Sequence, residues 1–461
     1  MNRNWIASLL LAAATPIAAQ DALYTEITPP SPDVTPPPTS RGVYASRINH
    51  DAIRVNPASI SVAIPRSDDP VNVTVQRQQF VRRRGYAGEA PAPGSTATDL
   101  AYTWVGASTD YRLRLTYHRG AFTGVFYGPN GRFLITTTAT SELRPEAFLF
   151  DDSAGNDAPP STLALAKLDL AAQLTAPAAP KVSGPDDIDM LILYTEAART
   201  TAFVPTQQVP TQPACGATTR GNDDILATIN AAVVDTNTAL ANSAVVPRLG
   251  NVTLMRILNF PAPNGNPNDS RDNAALLSPN IQAMRTAVGA DVVVVVTENF
   301  TTLGACGVAF VQRAGCTLPT PTPGCNVGAA FNAFAYTVVA QNCAIAFDSF
   351  VHELGHSLGG EHNPGVGAPM PNQASFVHSF GHFVPGNFET VMSIARPANT
   401  LQELNFSDPN IFVRGAATGI ANQRHNALTV QTLSPAYRLF RDGPTFIDGF
   451  EDEPLCATMT F

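Results

Sequence analysis

The stretch "HELGHSLGGEH", His352–His362, decides how the second half of this chain is interpreted, because it holds three of the eight histidines of the protein. A helix is predicted from about Ser349 to Leu358. His352 and His356 are four residues apart, so a helix places both side chains on one face, with Glu353 between them. This spacing predicts two ligands for one metal ion and a carboxylate beside them.

The residues that flank this helix indicate how a third histidine joins the pair. Asp348 or the following serine is suited to cap the N-terminus. Gly359 and Gly360 are expected to end the helix, because glycine readily adopts the left-handed conformation of a sharp turn. That turn returns His362 to the first two histidines, and three imidazoles with one open position are typical of catalytic zinc. A solvated helix face with incidental histidines is the simpler alternative, but it does not account for the fixed spacing.

The complete pattern, His-Glu-x-x-His-x-x-Gly-x-x-His, resembles the zinc motif of the metzincin metalloproteases. The resemblance implies that His352, His356 and His362 bind one catalytic Zn²⁺ and that Glu353 acts as the general base. Further along the chain, "ETVMSIA" resembles the Met-turn of these enzymes. Met392 is therefore expected to form an apolar floor under the metal ligands.

Other stretches extend this resemblance to the reprolysin-like, peptidyl-Asp metallopeptidase group of secreted bacterial enzymes. They are "IDMLILYTEAART", "GADVVVVVT", "CGVAF" and "ELNFSDPN", and they cover roughly residues 188–440. The resemblance implies an α/β (α+β) catalytic domain, with a twisted mixed sheet above the cleft, the active-site helix beneath it and an irregular lower subdomain. A peptide substrate is expected to lie along "FAYTVVA", Phe334–Ala340, as the edge strand of that sheet.

Two residues depart from the patterns of related metzincins. Asn363 follows the third histidine where adamalysins carry Asp, so the hydrogen bonding around the metal is expected to differ. Ile394 lies two residues after Met392, where astacin- and serralysin-like enzymes have Tyr, so no tyrosine hydroxyl is expected to stabilise the transition state. Arg396 either lines the S1′ pocket and favours acidic side chains, or is an ordinary surface residue.

Residues 186–440 also show the alternation of strands and helices expected of one catalytic domain. "IDMLILYT", "VTLMRIL" and "DVVVVVT" predict buried strands, and a long helix is predicted over Asn222–Asn242 between the first two. This alternation favours a largely parallel sheet.

The N-terminal third of the chain predicts export and then a separate domain. Residues 1–19 combine Arg3, an apolar run and small residues, which is typical of a cleaved signal peptide, and the run is too short to span a membrane. Residues 20–57 are rich in Pro, Ser and Thr and predict an extended leader. Residues 58–150 alternate with period two and contain "GPNG", which predicts a small all-β unit built from hairpins.

Residues 151–185 form an Ala- and Pro-rich linker that holds the only two lysines of the chain, Lys167 and Lys181. Cleavage near Lys181 would release a mature enzyme, but an Arg-rich composition with two incidental lysines is the favoured explanation. The β unit is then expected to be a propeptide that chaperones or inhibits the enzyme, and a permanent binding module is the alternative. It contains no cysteine, so a cysteine latch on the zinc is excluded. The tail, residues 441–461, suggests no role.

Export makes disulfides the favoured interpretation of the six cysteines. The expected pairs are Cys316–Cys325, Cys306–Cys343 and, by elimination, Cys215–Cys456. The first would close a proline-rich insertion, and the second would join two predicted strands. A cysteine metal cluster is the rival interpretation, but no CxxC pair supports it.

Composition narrows the class of function. The net charge of −9 argues against a nucleic-acid binder, and no later apolar run reaches the length of a membrane span. We therefore expect a secreted, monomeric zinc endopeptidase that cleaves protein or peptide substrates with a zinc-activated water, and that prefers Asp. Structural calcium is neither indicated nor excluded. The alternative is a catalytically inactive zinc-binding or adhesion protein, which Glu353 disfavours because structural zinc needs no base.

Overall fold

The computed structural model contains, among the residues it describes, two large β-sheets that differ in strand pairing and two small ones, and helices that lie around the second large sheet. The residues it describes are 24–27, 40–48, 58–63, 72–77, 102–107, 111–118, 121–128, 131–138, 144–150, 187–201, 220–258, 260, 278–298, 306–311, 331–365, 367–395, 400–441 and 458–460. The predicted signal peptide and the linker, residues 151–185, lie outside these ranges.

The first sheet contains nine antiparallel strands, all from the N-terminal third of the chain. They are β1 (Tyr24–Ile27), β2 (Ser40–Ile48), β3 (Ser59–Ala63), β4 (Asn72–Arg77), β5 (Tyr102–Ala107), β6 (Arg112–His118), β7 (Ala121–Gly128), β8 (Gly131–Thr138) and β9 (Arg144–Phe150). Their order is β1-β2-β9-β8-β7-β6-β5-β4-β3. Gly128 pairs with Gly131, as a hairpin at "GPNG" requires.

The segment predicted as an extended leader, residues 20–57, contributes two strands to this sheet. β1 pairs with β2, and β2 pairs with β9. The prolines of "TPPSPDVTPPPTS" fall between β1 and β2, so in sequence they mark a connection between strands. The alternating residues that follow them form β2. The sheet therefore starts well before residue 58, where the sequence pattern places its beginning.

The other strands build the second part of the molecule. They are β10 (Asp187–Thr195), β11 (Arg248–Leu258), β12 (Val292–Thr297), β13 (Gly307–Ala309), β14 (Tyr336–Ala340), β15 (Phe383–Val384), β16 (Phe388–Glu389), β17 (Leu401–Gln402), β18 (Phe412–Val413), β19 (Ala416–Ala417) and β20 (Thr458–Thr460). Six of them form a sheet in the order β13-β14-β12-β10-β11-β20. All its neighbours are parallel except β13 and β14, so the expected mixed α/β architecture is confirmed.

In the part of the chain that the structure describes, five α-helices accompany this sheet: α1 (Glu196–Thr201), α2 (Arg220–Asn242), α3 (Pro279–Ala287), α4 (Ser349–Ser357) and α5 (Asn426–Tyr437). Helix α2 connects the parallel neighbours β10 and β11, and its bounds agree with the predicted Asn222–Asn242 within two residues at its start. It contacts β6 and β7 of the N-terminal sheet and also α4 and β11. α2 thus packs against both parts of the molecule.

The edge of the mixed sheet is not the strand predicted from the sequence. Tyr336–Ala340, within the expected edge strand, lies between β12 and β13, and β13 occupies the end of the sheet order. β13 lies in "CGVAF", which was also expected to form a strand, but the residue pattern along a strand does not reveal which strand ends a sheet. The predicted tail likewise contributes β20, which pairs with β11.

One hydrophobic core runs through both parts. It is centred on the fully buried valines of β12 and the apolar face of α2, and Val125, Tyr127 and Leu134 of the N-terminal sheet belong to it. Contacts of this extent keep the two parts together. None of the helices described has both the length and the apolar character needed to cross a bilayer.

Candidate metal centre

Helix α4 begins and ends as the motif requires, although its N-cap differs from the expectation. Asp348 is at the N-cap position with a left-handed φ of +54°, and its carboxylate makes no capping hydrogen bond. At the other end, Gly359 has a φ of +89° and donates to the His356 carbonyl. A Cβ at Gly359 would come within 2.5 Å of Leu433 Cδ1, so both the conformation and the packing require glycine here.

The turn brings the three histidines of the motif together. The Nε2 atoms of His352, His356 and His362 lie 3.0–3.1 Å from one another, and all three residues are buried. Tetrahedral zinc with ligands at about 2.0–2.1 Å holds them about 3.3 Å apart, close to the observed spacing. Within the described residues, this is the group of His, Cys, Asp and Glu side chains with a geometry that could hold a metal ion.

The opposite ring nitrogens of two of these histidines are held by main-chain carbonyls. His352 Nδ1 lies 2.7 Å from the Val391 oxygen, and His356 Nδ1 lies 2.8 Å from the Gly360 oxygen. Because a carbonyl can only accept, both Nδ1 atoms carry the proton and both Nε2 atoms present a lone pair. Lone pairs that face each other at 3.0 Å repel unless a cation lies between them, so the donor set fits a metal ion.

Met392 lies under α4, the helix that carries His352 and His356. It is completely buried, and its Sδ atom is so close to α4 that a Cβ on Gly355 would be 2.4 Å from it. The preceding residue, Val391, supplies the carbonyl that orients His352. The Met-turn segment thus supports the histidines both by packing and by a hydrogen bond.

Asn363 connects the third histidine to the same segment. Its Oδ1 atom accepts a hydrogen bond from the Ile394 main chain at 2.9 Å and one from Ser393 Oγ at 3.2 Å. Asn363 is buried, and an amide oxygen makes these contacts without adding a negative charge near the metal. The side chain of Ile394 carries no hydroxyl. The main-chain N–H of Ile394 donates to Asn363 Oδ1.

Glu353 faces the edge strand of the mixed sheet. Its side chain is buried in α4, and a Cβ placed on Gly307 of β13 would lie 2.4 Å from Glu353 Oε1. The strand backbone therefore passes directly against the carboxylate. Gly307 was not identifiable from the sequence, because a single glycine in a three-residue strand has no distinguishing pattern.

Gly307→Ala is expected to displace the Glu353 carboxylate while the metal stays bound. The added methyl group overlaps with three atoms of the glutamate side chain, so the carboxylate has to move. We expect the kcat for peptide hydrolysis to fall by roughly 10- to 100-fold, as for a displacement of about 1 Å of a reacting group. Steady-state kinetics and Zn²⁺ content measure the two effects. Unchanged kcat in a fully loaded variant would contradict this placement of Glu353.

Cys306 and Cys343 form a disulfide with a Cα–Cα distance of 5.4 Å. It joins the residue before β13 to the turn that precedes α4. The other cysteines with expected pairings, Cys215, Cys316, Cys325 and Cys456, lie outside the described residues, as does Arg396.

Two other histidines, His378 and His382, are also four residues apart in sequence, but they belong to no candidate metal group among the described residues. Arg424 Nη1 donates to His382 Nδ1 at 3.0 Å. Burial, with Arg424 as a further cause, lowers the pKa of His382 to about 4, so the ring is neutral near pH 7. A metal-binding histidine usually donates its second ring N–H to an acceptor, whereas a ring nitrogen of His382 faces a cationic donor.

Comparisons with known proteins agree with the motif. Residues 226–363 match the model of the metallo-peptidase family M12B, reprolysin-like. A "Peptidyl-Asp metalloendopeptidase" from Xanthomonas campestris pv. campestris is 27% identical over 162 residues, which are 35% of this chain and 34% of that protein. The chain thus spans about a third of the length of this curated relative. These matches confirm the resemblance to reprolysin-like metzincins.

Two solved structures show partial likeness. A structure titled "Structure of a chaperone-substrate complex" is 14% identical to this chain. The match covers 69% of this chain and 39% of the other chain, with a TM-score of 0.38. Metalloproteinase-II from Bacteroides fragilis is 8% identical to this chain. The match covers 76% of this chain and 88% of the metalloproteinase chain, with a TM-score of 0.39. At these TM-scores, neither likeness bears on the fold or the activity.

Proposed function

We propose that this chain, whose metal-binding segment is that of a reprolysin-like metzincin, is a secreted zinc-dependent endopeptidase. The observation that carries the proposal is the convergence of three buried Nε2 atoms within 3.1 Å, two of them with their Nδ1 protons held by main-chain carbonyls. His352, His356 and His362 would hold the Zn²⁺ ion. Three protein ligands leave one position open, which distinguishes catalytic from structural zinc.

The chemistry that a bound zinc ion supplies is Lewis acidity, which makes hydroxide available near pH 7 and polarises a carbonyl. Glu353 is adjacent to the first ligand in sequence, and we assign it the role of general base. Its carboxylate takes a proton from the attacking water and returns it to the leaving amine. Burial of Glu353 against Gly307 limits the orientations that the carboxylate can adopt, so little reorganisation is needed for proton transfer.

The edge strand β13 is the proposed site for the substrate backbone. It ends the order of the mixed sheet, and its Gly307 lies against Glu353. A peptide that adds to this edge as an extended strand would carry its scissile bond past the base. This role belongs to Gly307–Ala309 and not to the strand Tyr336–Ala340, which is enclosed between β12 and β13.

Preference for acidic side chains is part of the proposal. The Xanthomonas relative is called a peptidyl-Asp endopeptidase, and Arg396 follows the Met-turn segment closely in sequence. A guanidinium near the S1′ pocket would pair with a carboxylate of the substrate. Export by the N-terminal signal, residues 1–19, would bring the enzyme to extracellular or periplasmic substrates.

A peptide-library digestion tests the proposed activity. We expect cleavage that stops on treatment with a zinc chelator and returns on addition of Zn²⁺, with Asp enriched beside the cleaved bonds. Apoprotein that receives Mg²⁺ instead of Zn²⁺ is the control, because octahedral Mg²⁺ prefers oxygen ligands over imidazole. Zn²⁺ binding without hydrolysis of any peptide would favour the inactive zinc-binding alternative, and chelator-resistant cleavage would contradict the assigned centre.

A further inference from the structure

The N-terminal sheet contacts the turn that precedes the metal-binding helix. Arg114 Nη2 of β6 donates to the Ile345 carbonyl at 3.2 Å, and the Tyr127 hydroxyl of β7 lies 3.0 Å from the same oxygen. That hydroxyl is also 3.3 Å from the Ala346 carbonyl. Side chains from a distant part of the chain thus bind the main chain immediately before α4.

Asp348 completes this contact at the residue where α4 begins. Arg114 Nη2 donates to its Oδ1 atom at 2.6 Å, and Arg112 Nη2 is 3.5 Å from its Oδ2 atom. The Asp348 carbonyl accepts the helical hydrogen bond of the His352 N–H. A left-handed conformation at a residue other than glycine is uncommon and persists where its surroundings fix it. The sheet therefore holds the residue whose carbonyl accepts the first helical hydrogen bond of His352.

Arg114 also supplies the counter-charge of a second buried carboxylate. Its Nε atom lies 3.0 Å from Asp235 Oδ1 in α2, and the side chains of Arg114, Asp235 and Asp348 are at most 2% exposed. Burial raises the pKa of Asp235 to about 7, against the opposing effect of Arg114. Arg112 extends the cluster to Glu403. Carboxylates of the catalytic part thus depend on arginines of the N-terminal sheet.

The other end of the same turn is tied to the edge strand. Cys343 is joined by its disulfide to Cys306, which is followed directly by Gly307. Gly307 in turn lies against the Glu353 carboxylate. The turn, residues 343–348, is therefore held between the proposed substrate-binding edge on one side and the N-terminal sheet on the other.

We propose that the N-terminal sheet is a permanent clamp on the metal-binding helix, with Arg114 as its positioning residue, and not a propeptide that must leave before the enzyme works. The inference rests on the proposed metal site and adds a domain that keeps this site assembled. Departure of the sheet would leave Asp235 and Asp348 without Arg114 and would uncover the face of α2 that packs on β6 and β7. Loss of the sheet is expected to disorder the start of α4, and so to inactivate the enzyme.

Arg114→Met in the full-length protein tests the clamp, because it removes the cation and keeps much of the side-chain volume. We expect kcat to fall roughly 100-fold with KM little changed, since the base and the ligands shift while the substrate edge remains. Zn²⁺ affinity, measured by competition with a chromogenic chelator, is expected to weaken about tenfold or more. The Zn²⁺ measurement does not depend on hydrolysis. A wild-type protein that binds Zn²⁺ but cleaves nothing would thus refute the proposed function and leave this test valid.

A second substitution separates positioning from a general loss of structure. Adding Asp235→Asn to Arg114→Met restores the charge balance. The double variant is therefore expected to have about tenfold higher Zn²⁺ affinity and about tenfold higher kcat than Arg114→Met alone. Arg248→Met is the control, because Arg248 donates to the main-chain carbonyls of residues 245–247. Arg114→Met with the Zn²⁺ affinity and kcat of this control would overturn the inference. If Arg114→Met yields no folded protein, the double variant Arg114→Met/Asp235→Asn decides: a folded double variant that binds no Zn²⁺ would also overturn the inference.

The two lysines provide an independent test on the wild-type enzyme. Lys167 and Lys181 lie between β9 and β10, so a lysine-specific endopeptidase separates the sheet from the catalytic part without cutting either. After complete cleavage of the Zn²⁺-loaded protein, we expect both pieces to co-elute in size-exclusion chromatography and to retain Zn²⁺ and activity. Dissociation of the sheet with rising activity would identify it as an inhibitory propeptide and overturn the clamp.

Discussion

Glu353→Gln is expected to lower peptide hydrolysis by about 10³-fold while the protein keeps its full Zn²⁺ content. General acid–base catalysis contributes roughly 10²- to 10⁴-fold, and the amide of glutamine cannot accept the proton of the attacking water. The change corresponds to about 4 kcal/mol of transition-state stabilisation. The three imidazoles remain, and glutamine has nearly the same shape, so packing against Gly307 is preserved.

Two further variants make this result specific. Glu353→Asp keeps a carboxylate but withdraws it by one methylene, so its activity is expected to lie between wild type and Glu353→Gln. Glu196→Gln alters an exposed carboxylate paired with Arg199 and Arg256 and should leave hydrolysis unchanged. The measurements are kcat/KM on one defined peptide and Zn²⁺ per chain. Near-wild-type cleavage by Glu353→Gln would remove Glu353 from the mechanism.

His356→Ala is the second change with a very large expected effect, because it removes one of three ligands from a buried site. We expect Zn²⁺ affinity to fall by about 10³-fold and hydrolysis to disappear at micromolar Zn²⁺. The hydrogen bond from His356 Nδ1 to the Gly360 carbonyl is lost as well, so the turn that returns His362 also loses support. Chelator competition gives the affinity, and the peptide assay gives the activity.

His382→Ala is the matched control for this substitution. His382 is also a buried histidine, but its Nδ1 accepts from Arg424 and it lies outside the group of three. Its replacement should leave Zn²⁺ binding within about twofold of wild type, because the His382 contacts to Thr390 run through the main chain and through the Thr390 hydroxyl and survive the change, and the lost ring contact is the one to Arg424. Stoichiometric Zn²⁺ of wild-type affinity in His356→Ala would show that the metal lies elsewhere.

The candidate site could be predicted in detail because its signals are local. Two histidines four residues apart share a helix face in any α-helix, and a glycine that turns the chain back needs only its own conformational freedom. The long helix in front of β11 was predictable for a similar reason, since its apolar residues repeat with helical spacing over more than twenty positions. Signals of this kind require no knowledge of what packs against the element.

Features that depend on pairing between distant residues were predicted less well. The edge of the mixed sheet was assigned to a strand near Tyr336–Ala340, although β13 lies outside it. The prolines before β2 suggested an extended leader, although β2 pairs with β9 about a hundred residues later. Asp348 or Ser349 was predicted to cap α4; Asp348 is at the N-cap, but its side chain binds Arg114 instead of capping the helix. In each case the partner was invisible in the local sequence.

Local spacing therefore sufficed to predict that three histidines and a turn glycine come together, and to place Glu353 beside them, since backbone geometry alone relates residues within eleven positions. Tertiary packing decided how these groups are held. The carbonyl that orients His352 comes from Val391, 39 residues away, and the guanidinium that binds Asp348 comes from Arg114, 234 residues away. Hydrogen bonds and ion pairs of this range depend on which surfaces meet in the folded chain, and burial makes them strong because water no longer competes.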